Sequence, residues 1–299
     1  MPYFSVILPT YNRAHLLPKA IQSLVDQTFG DWELIIVDDG STDDTKAVVE
    51  KFQDERIRYV YQENQERSAA RNNGINQAKG TFICFLDSDD YFLKDKLTNL
   101  YTAQQGSKNN SIWFDGLISE HNGSQKRLPF PVIENGYNNF EFILSNTLFS
   151  QQICGNIEIF KLFQFNPSIR IGEDMELWFR IASEFTFIPI EKSYQTVILE
   201  HDDRSINIKK GNVYLEQLQT LKLILSSKQS NNVRNSIKRT TISNCQFNIA
   251  KHFMYNNNKI KSIIWIVKSI NNDLNNIQLK HRLYCLMNLL FFKIPSEYQ

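Results

Sequence analysis

From residue 4 the chain alternates short apolar runs with segments whose apolar residues recur at helical spacing. Phe4-Ser5-Val6-Ile7-Leu8-Pro9 reads as a buried strand stopped by Pro9, with a loop at Thr10-Tyr11-Asn12-Arg13. Leu16, Leu17, Ala20, Ile21, Leu24 and Val25 predict a helix over 14–27. A second strand is expected at Trp32–Val37, then a helix near 43–53 with Ser41 or Thr42 as N-cap, then a strand at Ile57–Tyr61. A helix over 67–78 ended by Gly80, and a strand over 81–86, complete a β-α-β-α-β-α-β order. Strands this continuously apolar predict a parallel sheet with helices on both faces.

Beyond Leu93 the pattern changes. A helix near 94–104 and a loop at 107–110 precede two strands, Ile112–Ser119 and Lys126–Ile133, around the turn His121-Asn122-Gly123-Ser124. Phe140–Leu148 reads as a helix, and Ile157–Phe163 as a strand running into a turn. The acidic turn Ile171-Gly172-Glu173-Asp174 leads into a helix at Met175–Phe185, followed by strands at Phe187–Ile190 and Gln195–Leu199 and a polar loop over 200–205. From 206 onward helical spacing recurs at 213–225, 236–254, 259–270 and 277–292. Two domains are expected: an α/β domain over 1–205 and a helical, Asn-rich module over 206–299.

Charge sharpens that division. The net charge of +1 hides a −9 front over residues 1–200 and a +10 back over 201–299. The four cysteines form no CxxC pair, which favours free thiols in a reducing compartment. No basic leader precedes the first strand and no run nears the length of a membrane span, so a cytoplasmic location is expected. The basic tail is either a solvated face of biased composition or a contact for a partner enzyme or the inner face of the membrane, and Trp265 and Leu289-Leu290-Phe291-Phe292 either form its own core or dock shallowly there. Its basic residues form no recognisable nucleic-acid reader.

The candidate chemistry lies at the ends of the strands. In a parallel sheet, ligands bind beyond the carboxyl ends. Thr10–Arg13, Asp38–Asp43 and Asp87-Ser88-Asp89-Asp90 all fall there. Several carboxylates at the lip of a sheet are costly unless water, hydrogen-bond donors or a divalent cation compensate them, and the alternative is an ordinary Asp-rich turn that caps the next segment. The chain has no GxGxxG, no GxxxxGK[ST], no HExxH and no GxSxG. A phosphate ligand would therefore be held through a cation, and Mn²⁺ or Mg²⁺ suits carboxylates such as Asp87 and Asp89. Asp39 can accept from the imide N–H of a uracil ring, or form an ordinary Asx-turn before Gly40. Tyr11 can stack on a base or join the core. Arg71 can donate to phosphate or form a surface ion pair. Glu173 and Asp174 open a helix, where the macrodipole keeps a carboxylate ionised for use as a base, although acids are common at such positions. His201 is a candidate metal or phosphate ligand.

Taken in order, these residues resemble family 2 glycosyltransferases of the GT-A fold. The resemblance rests on Ser5 to Arg13, Val37-Asp38-Asp39-Gly40-Ser41-Thr42-Asp43, Ala70-Arg71-Asn72-Asn73-Gly74-Ile75, Phe85-Leu86-Asp87-Ser88-Asp89-Asp90, and Glu173-Asp174 with Leu177, Trp178 and Arg180. It implies a Rossmann-like, mainly parallel sheet flanked by helices, and inverting transfer from a nucleotide diphospho-sugar, with a UDP-sugar favoured. A glycan or lipid-linked hydroxyl would be the acceptor, as in bacterial surface polysaccharide synthesis. On that reading Pro9, Thr10, Tyr11 and Arg13 line the nucleotide pocket, and Asp39 recognises the base. Arg71 lies near the phosphates or the base. Asp87-Ser88-Asp89 is the DxD element, with Asp89 the direct metal ligand. Asp174 is the base and Glu173 supports it or contacts the acceptor, while His201 with Ser205 resembles the family's H-x-x-x-S element. Two rivals stand beside this reading. A sugar-phosphate nucleotidyltransferase should carry a Gly-rich loop after the first strand, which Pro9–Arg13 lacks. A non-catalytic nucleotide-sugar binding protein would have no need of both Asp89 and Asp174.

Overall fold

A computed structural model describes residues 1–105, 111–201 and 213–291. Among them the strands are β1 Phe4–Thr10, β2 Trp32–Asp38, β3 Ile57–Tyr61, β4 Phe82–Phe85, β5 Tyr91–Phe92, β6 Ser111–His121, β7 Ser124–Arg127, β8 Ile153–Asn156 and β9 Thr186–Leu199. The first helices are α1 Leu17–Val25, α2 Thr45–Val49, α3 Glu66–Gln77, α4 Lys96–Gln104, α5 Asn139–Ser145, α6 Ile157–Leu162 and α7 Glu173–Ile181. Four more follow: α8 Val213–Ser226, α9 Asn235–Tyr255, α10 Lys259–Asn272 and α11 Leu279–Phe291.

All nine strands join one sheet in the order β3-β2-β1-β4-β8-β6-β9-β5, with β7 paired to β6. The half β3-β2-β1-β4 is parallel. β8 joins the other half antiparallel to both β4 and β6. The chain steps outward from β1 to β2 and β3, then crosses back to place β4 on β1's other side. That reversal opens a crevice at the carboxyl ends of β1 and β4, where the two polar loops lie. β1 and β2 are buried along their whole length. Leu17, Ala20, Ile21 and Leu24 of α1 pack onto one face in a core with Leu34, Ile36 and Trp113.

Several local expectations change. The helix near 43–53 shrinks to α2. The Asp43 carboxylate accepts from the Thr45 amide and hydroxyl, and Ser41 Oγ accepts from the Asn12 amide instead of capping. α3 ends at Gln77 with Ala78 extended, and Gly80 does not end it. Gly80 is small because a Cβ there would lie 2.6 Å from the Ser5 amide nitrogen. The strand expected over 126–133 stops at Arg127. Ile157–Leu162 is a helix, because the Asn156 side chain caps it by accepting from the Glu158 amide. The two strands expected at 187–199 are one, carried past a register shift at Gly116. The loop at 107–110 lies outside the described residues.

Gly74 sets how closely α3 lies on the sheet. A Cβ there would stand 2.5 Å from Ile7 Cγ2 and 3.3 Å from Val37 Cγ2. Gly74→Ala therefore forces helix and sheet apart, at about 1–3 kcal/mol of stability. Urea unfolding of the variant checks this: an unchanged midpoint would mean the contact is soft.

The contacts group the chain into two units. One holds the sheet with α1–α4, α6 and α7; the other holds α5 and α8–α11. The second has its own core of Phe247, Ala250, Met254, Ile266, Cys285 and Leu289. Arg282 is buried within it, donating to Ser243 Oγ and Asn244 Oδ1. In the same unit Glu141 of α5 accepts from Arg234 Nε at 2.7 Å. Among the described residues no helix is long and apolar enough to cross a membrane.

Candidate active site

The crevice is built from loops that hold one another. β1 ends in Thr10, whose Oγ1 is buried with no partner. Asn12 follows in the left-handed region at φ 51°, a conformation that asparagine tolerates. Its amide donates to Ser41 Oγ and its Oδ1 accepts from the Thr42 amide, tying the β1 loop to the β2 loop. Asp38 supports the same junction, accepting from the Ser41 amide and from Tyr59 Oη. Asp39 is buried beside it, and its Oδ1 accepts from Gln62 Nε2 at 2.6 Å and the Gln65 amide at 2.9 Å. Pro9 is buried at the end of β1, whereas Tyr11 is 48% exposed. Tyr11 and Arg13 follow on the β1 loop.

At the end of β4 the three aspartates divide. Asp87, Asp89 and Asp90 can each offer an oxygen within 4.8 Å of the others. Asp90 is buried and already committed, accepting from Gln151 Nε2 at 2.7 Å and the Leu199 amide at 3.0 Å. Asp89 Oδ2 lies 3.1 Å from His201 Nε2. Asp87 Oδ1 accepts from Arg71 Nη2 at 2.8 Å. Carboxylates joined by one imidazole form a donor set that fits Mn²⁺ or Mg²⁺. Ser88 is buried between the two candidate ligands. Ser205, the expected companion of His201, lies outside the described residues.

Arg71 is no surface ion pair. It is 2% exposed, on the buried side of α3. Besides Asp87 it donates to Glu173 Oε1 at 3.1 Å and stands 3.6 Å from Asp174 Oδ1. Burial opposes its charge, but Asp87, Asp174 and Glu173 outweigh that and raise its pKa. One guanidinium thus joins the acidic turn after β4 to the acidic start of α7.

Asp174 lies at the start of α7. Gly172 at φ 83° turns the chain into α7, leaving Glu173 and Asp174 in its first turn. Asp174 Oδ2 accepts from the Ser150 amide at 3.0 Å, while buried Oδ1 has no hydrogen-bond partner. Burial pushes the carboxyl pKa up; Arg71 lowers it, Glu173 and Asp87 raise it, and the balance lies at about 7. A carboxylate poised there can take a proton near neutral pH.

Sequence reasoning missed the short 3-10 turn Ser150–Gln152 altogether. Its three side chains are almost fully buried. The Ser150 amide holds Asp174, Gln151 holds Asp90, and Gln152 Nε2 donates to the Asp115 carbonyl at 2.6 Å. The Gln151 carbonyl in turn accepts from Thr196 Oγ1 at 3.2 Å. Lys96 and Asp115 form a fully buried ion pair alongside, at 2.7 Å. Paired glutamines before a strand were the only local signal.

The family model for "Glycosyl transferase family 2" matches residues 5–169, more than half of the chain. The chain belongs to glycosyl transferase family 2. Its sheet with flanking helices is the GT-A arrangement. Among this family 2 chain's relatives is the Campylobacter jejuni GalNAc(5)-diNAcBac-PP-undecaprenol beta-1,3-glucosyltransferase, 32% identical over 239 residues, 75% of this chain and 74% of that protein. An uncharacterized glycosyltransferase of Rickettsia felis is 37% identical over 204 residues, 64% of this chain. The chain spans only 32% of that Rickettsia protein's length. The crystal structure of S. aureus TarS in complex with UDP-GlcNAc shares the fold at 18% identity and a TM-score of 0.66, covering 100% of this chain and 90% of that one.

Proposed function

We propose that this family 2 glycosyltransferase moves a sugar from a nucleotide diphospho-sugar, with a UDP-sugar favoured, to a hydroxyl of a lipid-linked or glycan acceptor. One observation carries the reading: a carboxylate with a pKa of about 7, Asp174, wired through buried Arg71 to the acidic strand-end turn at Asp87. Asp174 takes the acceptor's proton as the hydroxyl oxygen bonds to the anomeric carbon. The bond from that carbon to the diphosphate breaks, a nucleoside diphosphate leaves with the electron pair, and the anomeric centre inverts. Glu173 and Arg71 hold the base in place. Asp89, with Asp87 and His201, would hold Mn²⁺ or Mg²⁺, which when bound offsets charge on the leaving diphosphate. Asp39 faces the base, and Pro9, Thr10, Tyr11, Arg13 and Ser88 line the donor pocket.

The UDP donor draws support from TarS, solved with UDP-GlcNAc, and the lipid-linked acceptor from the name of the C. jejuni relative. Such an acceptor would bring the chain to the inner face of a cell membrane, with the catalytic module ending near 205 and the helical module following. The test is a donor screen reading nucleoside diphosphate release with a diphosphate-lipid-linked sugar as acceptor. One UDP-sugar is expected to dominate, EDTA to stop release, and added Mn²⁺ or Mg²⁺ to restore it. Release indifferent to chelation, or absent with every donor, would sink the reading.

A further inference from the structure

We propose that the outer faces of α10 and α11 form a docking surface for the anionic headgroup layer of a lipid bilayer. This goes beyond the transfer reaction and does not depend on it. Seventeen large apolar side chains are exposed among the described residues, and nine of them fall between 260 and 290. Singly exposed apolar residues need no explanation, but a concentration of them marks an interaction surface. On α10 they are Ile260, Ile264 and Val267, and on α11 Leu283, Met287 and Leu290, with Tyr284 beside them. Each set repeats at i, i+4, i+7, a single stripe along its helix. The opposite sides of the same helices carry Ile266, Cys285 and Leu289, which fill the unit's core. Ile277, in the turn between the helices, is 98% exposed.

Of the residues the sequence offers for membrane contact, Trp265 and Leu289 are taken up by that core, whereas Leu290 belongs to the exposed stripe. The rest of the stripe escapes notice in the sequence because each helix is apolar on two sides.

Charge selects the occupant. Lys259, Lys261, Lys268 and Lys280 are exposed along the two helices, and Lys268 Nζ lies 4.3 Å over the Trp265 ring, its stem folded along the apolar side. The only acid from 259 to 291 is Asp273, which accepts from Thr240 Oγ1 at 2.5 Å. A second copy of the chain would bring another +10 segment against this one, which like-charge repulsion disfavours. Phosphate headgroups meet the lysines with opposite charge while the stripes enter the boundary below them.

Flotation of the full chain with vesicles tests the proposal. Vesicles of equal parts phosphatidylglycerol and phosphatidylcholine should bind at least about tenfold more protein than phosphatidylcholine alone, less so as salt rises. The double change Met287→Ser with Leu290→Ser should lower binding roughly tenfold, and so should Lys259→Gln with Lys261→Gln. The lysine pair lies on the surface and keeps the test valid should the serine pair disturb the helix, which circular dichroism would report. Equal binding to both vesicle types, or binding unmoved by the lysine pair, overturns the proposal. So does a dimer by light scattering that the serine pair dissolves, since a second copy would then own the stripe.

Discussion

An asparagine in place of Asp174 lowers turnover by about a hundred- to ten-thousand-fold, the range for a lost general base. The side chain keeps its shape and can still accept from the Ser150 amide, so the donor KM should stay within a few-fold. The pH profile is the sharper readout. The Asp174 carboxyl titrates at about 7 because burial raises it more than Arg71 lowers it. Wild-type kcat/KM should therefore fall tenfold per pH unit below about 7, and the variant's residual rate should lack that limb. Stability moves the other way. A carboxyl whose folded pKa lies above its unfolded value stabilises below the unfolded pKa and loses that stability as pH rises through 7. At pH 8 the variant should outlast the wild type in urea by about 1 kcal/mol or more, and the gain should vanish below pH 4. A variant that turns over normally, or keeps the same limb, would remove Asp174 from the chemistry.

Arg71→Met does the most damage to the site as a whole. It removes the buried cation shared by Asp87, Glu173 and Asp174 and leaves three carboxylates facing one another. Losing one partner of a buried pair costs about 3–5 kcal/mol, or about 10 °C in Tm for a domain of this size. Arg71→Lys should recover part of the stability and less of the activity, because one ammonium cannot bridge two separated carboxylates as a planar fork does. The limb of the pH profile tells a positioning role from a purely structural one. Arg71 lowers the Asp174 pKa, so removing it should move the limb to higher pH. A limb that stays in place while the protein loses stability would reduce Arg71 to a structural pair.

What the sequence discloses here is whatever changes abruptly over a few neighbours. Phe82–Asp90 passes from strand to three acids within nine residues, and Gly172-Glu173-Asp174 opens a helix, so both stand out. The parallel half of the sheet is equally plain, because its strands are apolar throughout. What joins them is not local. Arg71 sits on a helix rich in Asn and Gln, and nothing in that run tells its burial from exposure. Gln151 meets Asp90 across a separation of 61 residues and His201 meets Asp89 across 112. Pairings at such distance follow from topology, above all from β8 entering antiparallel beside β4. β8 itself escapes prediction because Ile153–Asn156 is four residues long and contains a glycine. The strands at 187–199 look separate because Glu191-Lys192-Ser193 interrupts their apolar pattern, while their pairing to β6 runs on.

The order in which Arg71 meets its partners has a consequence during synthesis. Arg71 and Asp87 leave the ribosome 16 residues apart, whereas Glu173 comes 102 residues after Arg71. At about 5–20 residues per second, several seconds pass between the two events. The nascent chain thus holds both partners of the Arg71–Asp87 pair well before the acidic start of α7 is made. Glu173 and Asp174 then dock onto a cation already in place.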